Sequence, residues 1–136
     1  MRVVSDLERP TPPPAAPLAL PGAMPGTISM RWDRPPGHLI DADAPLEGFE
    51  IAAGLVPFSQ EEFDAQSITF VPDNPLSIRQ TAQVDVPADR EVYHLRVRSV
   101  DVLGRVSWAT TEVTSVSTGS FELSGTVWQL DGSGWP

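Results

Sequence analysis

The chain has 136 residues, a formal net charge of −9 and an estimated isoelectric point near 4.4. It contains no cysteine, and all nine of its cationic side chains are arginine. One domain is expected at this length. Disulfides, thiolate metal sites and cysteine nucleophiles are excluded, and an acidic surface argues against binding to nucleic acid or to an anionic membrane.

No stretch approaches the ~18 apolar residues of a membrane-spanning helix. The N-terminal segment, which begins with methionine, has no apolar run of signal-peptide length. We therefore expect a whole gene product without a targeting segment.

Residues 1–14 read as a proline-rich arm. Pro10, Pro12, Pro13 and Pro14 forbid helix and favour polyproline II, which is either a disordered tail or a segment that orders on a neighbour at small entropic cost. Residues 15–26 hold a short apolar run broken by Pro21 and Pro25, the pattern of a kinked edge strand. In 27–33, Ile28, Met30 and Trp32 alternate with Ser29 and Arg31, predicting a half-buried strand. A loop follows over 34–46, opened by Pro35-Pro36-Gly37.

Phe49 and Ile51 point one way in the next predicted strand, 47–53. Residues 59–66 can form one helical turn, with Ser59 as its N-cap. A short strand over 67–72 runs into the turn signal Pro72-Asp73-Asn74-Pro75. Residues 78–86 form the next strand, with Ala82, Val84 and Val86 in phase.

The most regular alternation spans 91–101. Tyr93, Leu95, Val97 and Ser99 share one face; His94, Arg96, Arg98 and Val100 share the other. Tyr93 is the chain's single tyrosine, and at a strand start it can bury its ring while its hydroxyl reaches a backbone group. Arg96 and Arg98 are expected to face outward. Gly104 marks a turn, and 105–113, rich in β-branched residues, is predicted as the last strand. About seven short strands without a helical period mean an all-β sandwich or barrel.

The order of these motifs resembles a fibronectin type III domain. The resemblance is carried by the proline-rich entry before Leu18, by TISMRWD with Trp32, by LEGFEI, and by VYHLRVRSVDVLGRVSW. Trp32, Phe49, Ile51, Tyr93, Leu95, Val97 and Gly104 match the family's core positions over about residues 14–114. It implies a seven-stranded immunoglobulin-like β-sandwich over 15–114. Phe49 stands where the family often has tyrosine, and no Arg-Gly-Asp is present.

Residues 115–136 lie beyond the resemblance and form an aromatic C-terminal extension with Phe121, Trp128 and Trp135. Ser124-Gly125 can turn a β-hairpin there. Three uses are open: a hairpin packed on its own sandwich, a segment docked on another subunit, or a platform on which sugars stack.

Chemistry is sparse. His94 reads as a solvated strand histidine, and His38 has no serine or cysteine arranged beside it as a nucleophile. The carboxylates of Asp41, Asp43, Glu47 and Glu50 alternate as calcium ligands can, but lack the spacing of an EF-hand loop, and read as a solvated acidic loop. No enzymatic activity, metal or cofactor is expected.

A structural module of a larger assembly is expected instead, with Pro12, Pro13, Pro14, Phe121, Trp128 and Trp135 as contacts to identical subunits or virion neighbours. The resemblance extends to small bacteriophage tail and virion components, which places the protein in a virion made in bacterial cytoplasm. The competing expectation is an extracellular or cell-surface module that binds glycan or protein; an intracellular scaffold is a third.

Overall fold

The computed structural model describes residues 11–119. Seven strands form two antiparallel sheets: β1 (Ala15–Pro21), β2 (Thr27–Asp33), β3 (Leu46–Gly54), β4 (Ser67–Pro72), β5 (Arg79–Asp85), β6 (Val92–Asp101) and β7 (Val113–Val116). The three-stranded sheet has the order β1-β2-β5 and the four-stranded sheet β4-β3-β6-β7. This is the sandwich that the fibronectin resemblance implies. Short 3-10 turns at Gly37–Leu39 and Phe63–Ala65 are the helical elements among the described residues.

The period-2 alternation of β2, β3, β5 and β6 builds the core. Ile28, Met30, Trp32, Phe49, Ile51, Val84, Tyr93, Leu95 and Val97 meet between the sheets, all buried. Trp32 and Phe49 come from opposite sheets and pack edge to face, with ring centroids 5.4 Å apart; such pairs add about 0.5–1.5 kcal/mol to their area burial. The hydroxyl of Tyr93 accepts the N–H of Ala88 at 3.0 Å, closing the β5–β6 connection.

Four expectations need correction. Residues 105–113 are not a strand. After a single bridge, Val100 to Val106, the side chains of Ser107 and Thr110 take the β6 amides: Ser99 N–H donates to Ser107 Oγ at 2.8 Å and Val97 N–H to Thr110 Oγ1 at 3.2 Å. Their own N–H groups still donate to the Ser99 and Val97 carbonyls, at 3.0 and 2.9 Å, so hydroxyls replace only the acceptors of the ladder, as serine and threonine readily do. Regular pairing starts at Val113, so β7 crosses the 114/115 boundary between the expected domain and its extension.

Second, Arg98 is not solvated: it is 6% exposed. Third, His94 does not stand free; its Nδ1 lies 2.7 Å from Glu112 Oε2. The segment 55–66 causes the burial of Arg98. It folds across the outer face of the four-stranded sheet and lays the Phe63 ring on the Arg98 guanidinium, 4.0 Å from the ring centroid. Fourth, Ser59 caps no helix. Glu62 reaches back to it instead, its Oε1 accepting the Ser59 N–H at 2.9 Å.

Candidate functional site

The loops at one end of the sandwich enclose an apolar cleft of about 460 Å³. One wall is the start of the β2–β3 loop, with Pro35 and Pro36. The other is the β4–β5 loop, with Pro75, Leu76 and Ile78; Ala15 at the start of β1 completes it. Leu76 is 96% exposed and Ile78 is 74% exposed.

These side chains are presented by a braced loop. The buried amide of Gln80 sits beneath it: its Oε1 accepts Asn74 N–H at 3.1 Å, and its Nε2 donates to the carbonyls of Asn74 (2.9 Å) and Ser77 (2.7 Å). Asn74 Oδ1 accepts Leu76 N–H at 3.2 Å, so the tip is an Asx turn. Arg34 joins the two walls. Its N–H donates to Ile78 O at 2.7 Å, and its guanidinium grips both Asp73 oxygens at 2.8 Å. That side-chain hydrogen bond outweighs burial and holds the Arg34 pKa above its ordinary value.

The N-terminal arm enters this end. Thr11 is buried, and its hydroxyl donates to Asp101 Oδ2 at 3.0 Å. Asp101 also accepts the N–H groups of Leu103 (3.0 Å) and Arg105 (2.9 Å) and the Arg105 guanidinium (2.8 Å). Burial raises its pKa, but these donors prevail and hold the carboxyl below the usual aspartate value. The loop they brace turns at Gly104, where φ is +82°, a conformation that glycine adopts without a Cβ penalty. Of the predicted contact residues, Pro14 is buried in the sandwich, Pro12 is half-buried and Pro13 is exposed. Phe121, Trp128 and Trp135, with the predicted hairpin, lie outside the described residues.

The outer face of the four-stranded sheet carries an ionic layer. Arg98 bonds Glu50 Oε1 at 2.7 Å and Asp64 Oδ1 at 2.6 Å. Arg96 donates to the carbonyls of Phe58 and Thr110, each at 2.9 Å. Glu112 accepts Phe58 N–H at 3.2 Å besides its contact with His94. Burial raises the Glu112 pKa, but His94, the Phe58 amide and Arg96 outweigh it and leave the group below its usual range. Apart from the Arg98–Glu50 pair, which ties β6 to β3, these contacts bind the 55–66 and 105–112 segments to β6, which is a structural use.

The carboxylates of Asp41, Asp43, Glu47 and Glu50 are not assembled into a site, and the last two lie in β3. Glu50 is engaged by Arg98, and Asp41 Oδ1 accepts the N–H of Asp43 at 2.9 Å. Among the described residues no cluster of three or more His, Cys, Asp or Glu side chains could hold a metal ion.

The cleft was legible in the sequence in one respect only. Leu76 and Ile78 are large apolar residues inside or beside a segment that Pro72, Asn74 and Pro75 force to turn. That combination predicts exposed apolar side chains, but says nothing of the opposite wall.

The described residues thus form a seven-stranded β-sandwich of two antiparallel sheets, with an apolar cleft between the loops at one end. No family model matches the chain, and no curated protein matches it. Among solved structures, a family 76 glycoside hydrolase from a bovine Bacteroides thetaiotaomicron strain is similar in fold, with a TM-score of 0.51 and 13% identity. The match covers 78% of this chain but only 20% of the hydrolase. Two others score lower: "Myokine structure" has a TM-score of 0.46 at 14% identity, covering 81% of this chain and 99% of that one. The sixth fibronectin type III domain of human fibronectin type III domain containing protein 3 has a TM-score of 0.48 at 14% identity, covering 85% and 95%.

Proposed function

We propose that the chain is a non-enzymatic structural module that docks on other subunits of a larger protein assembly. The braced apolar cleft carries this reading. A leucine that is 96% exposed on a rigid loop is preorganised for contact, and preorganisation lowers the cost of binding. The charged groups at the cleft are already paired, Arg34 with Asp73 and Asp33 with Arg79, which leaves an apolar surface. The proline-rich and aromatic extensions add contact surface at the termini. A bacteriophage virion is the setting that the sequence resemblance suggests.

Site-specific photo-cross-linking from position 76, in cells that make the whole assembly, tests the proposal. The expected product joins this chain to a subunit of one particle, and Leu76→Asp abolishes its incorporation into that particle. A chain that enters no particle and binds a cell-surface glycan as a monomer would establish the competing role.

A further inference from the structure

A sandwich of two open sheets has four edge strands, and three of them are guarded here. β1 carries Pro17 and Pro21, an irregular register between Ala15 and Leu18, and a left-handed Ala16 at φ 52°. β7 has four residues and runs into Thr118, whose N–H donates to Thr27 O and whose hydroxyl donates to Gly22 O. β5 ends in the charged Arg79 and Asp85 and points polar Thr81 and Gln83 at solvent. These are ordinary defences against strand addition.

β4 has none of them except its terminal Pro72. Its sequence, SITFVP, holds no charge, and the outward side chains Ile68 and Phe70 are 38% and 46% exposed. Phe70 lies across the sheet because Gly48 leaves room: a Cβ there would strike the Phe70 ring and the Val71 carbonyl.

Among the described residues nothing pairs with the outer edge of β4, and the phase of its backbone can be read. Asp73 N–H donates to Glu47 O at 3.1 Å. Hydrogen-bonded pairs alternate along an antiparallel ladder. With Phe49 opposite Val71 and Ile51 opposite Thr69, Ser67, Thr69 and Val71 turn their amides and carbonyls to β3. Ile68 and Phe70 turn theirs away from β3. Pro72 shares that outward phase, so its missing N–H costs the β3–β4 ladder nothing.

We infer that β4 pairs antiparallel with β4 of a second copy of this chain, about a two-fold axis at Thr69. That register sets Ile68 opposite Phe70 of the other copy, twice, on the outer face. It joins their free amides and carbonyls in two hydrogen-bonded pairs. Centring the axis on residue 68 would set Phe70 against Gln66, and centring it on residue 70 would set Ile68 against Pro72. The strand is therefore self-complementary in one register.

The flanking carboxylates permit the approach. Asp73 is paired with Arg34, and Arg98 is shared between Asp64 and Glu50, which leaves one net negative charge in that trio. The remaining opposition is the −9 charge of each copy, which salt screens over a Debye length of about 8 Å at physiological ionic strength. One five-residue strand pair is a small interface, so the dimer is weak and concentration-dependent.

Sedimentation of the full chain from micromolar to millimolar concentration tests this. A monomer–dimer equilibrium that strengthens with salt is expected, and Phe70→Lys should weaken it about tenfold or more by placing a charge in the pair. The register is tested by cysteines, since the chain has none of its own. Oxidised Thr69→Cys should cross-link to itself. Ser67→Cys and Val71→Cys should cross-link efficiently only when mixed. A monomer at millimolar concentration overturns the proposal, as does Thr69→Cys cross-linking no faster than the exposed control Thr114→Cys, or a dimer that Phe70→Lys leaves unchanged.

Discussion

The hydroxyl of Thr11 donates to the carboxylate of Asp101, 90 residues further along the chain, at 3.0 Å. This contact fixes the N-terminal arm to the end of β6, beside the loop that Arg105 braces. It makes one aspartate the junction of the arm, the central strand and the β6–β7 connection.

Asp101 should give the protein an acid-sensitive step. Its folded pKa lies below the usual value, and an unfolded aspartate titrates near about 3.9. Its stabilisation is therefore complete above that pH and is lost as pH falls through the folded value. Asp101→Asn should cost about 1.5–3 kcal/mol at neutral pH, the range for hydrogen bonds to a charged group. Denaturant melts of both proteins from pH 7 to about pH 2 should converge at the acid end. A constant difference across that range would remove the assignment.

Trp32→Ala should cost about 3–5 kcal/mol by cavity formation, a large part of the stability of a domain this size. Trp32→Phe should cost clearly less. It keeps an aromatic ring against Phe49 and removes the indole N–H, which is buried without a partner among the described residues. Thermal unfolding followed by circular dichroism separates the two. Equal losses would mean that the indole N–H finds a partner in solution.

Tyr93→Phe should lower stability by about 0.5–1.5 kcal/mol through loss of the bond to Ala88 N–H, leaving the ring packed. Hydrogen exchange at Ala88 should accelerate more than exchange in the centre of β6. Unchanged protection at Ala88 would show that this bond does not hold the β5–β6 turn.

Leu76→Asp should leave stability within about 0.5 kcal/mol, because the side chain stands clear of the fold and surface changes of this kind are small. A large loss in a chemical melt would mean that Leu76 packs on its own chain.

The alternation in β2, β3, β5 and β6 made the sandwich and its core readable from the amino-acid order alone. A strand shows its buried face by a period of two, and Trp32, Phe49, Ile51, Tyr93, Leu95 and Val97 all obey it. The kinked edge strand β1 was legible for a related reason, since proline confines a strand to an edge. Periodicity cannot report what covers the other face. Arg98 has the phase of a solvated residue, yet Phe63 lies on it, because a segment distant in sequence folds back over the sheet. Nor can β-propensity foresee that Ser107 and Thr110 bond β6 through side chains, which delays β7 to Val113. The cleft and the open edge are relations between segments far apart in the chain. They exist only once the β2–β3 and β4–β5 loops meet at one end and β4 is left, among the described residues, without a neighbour on its outer side.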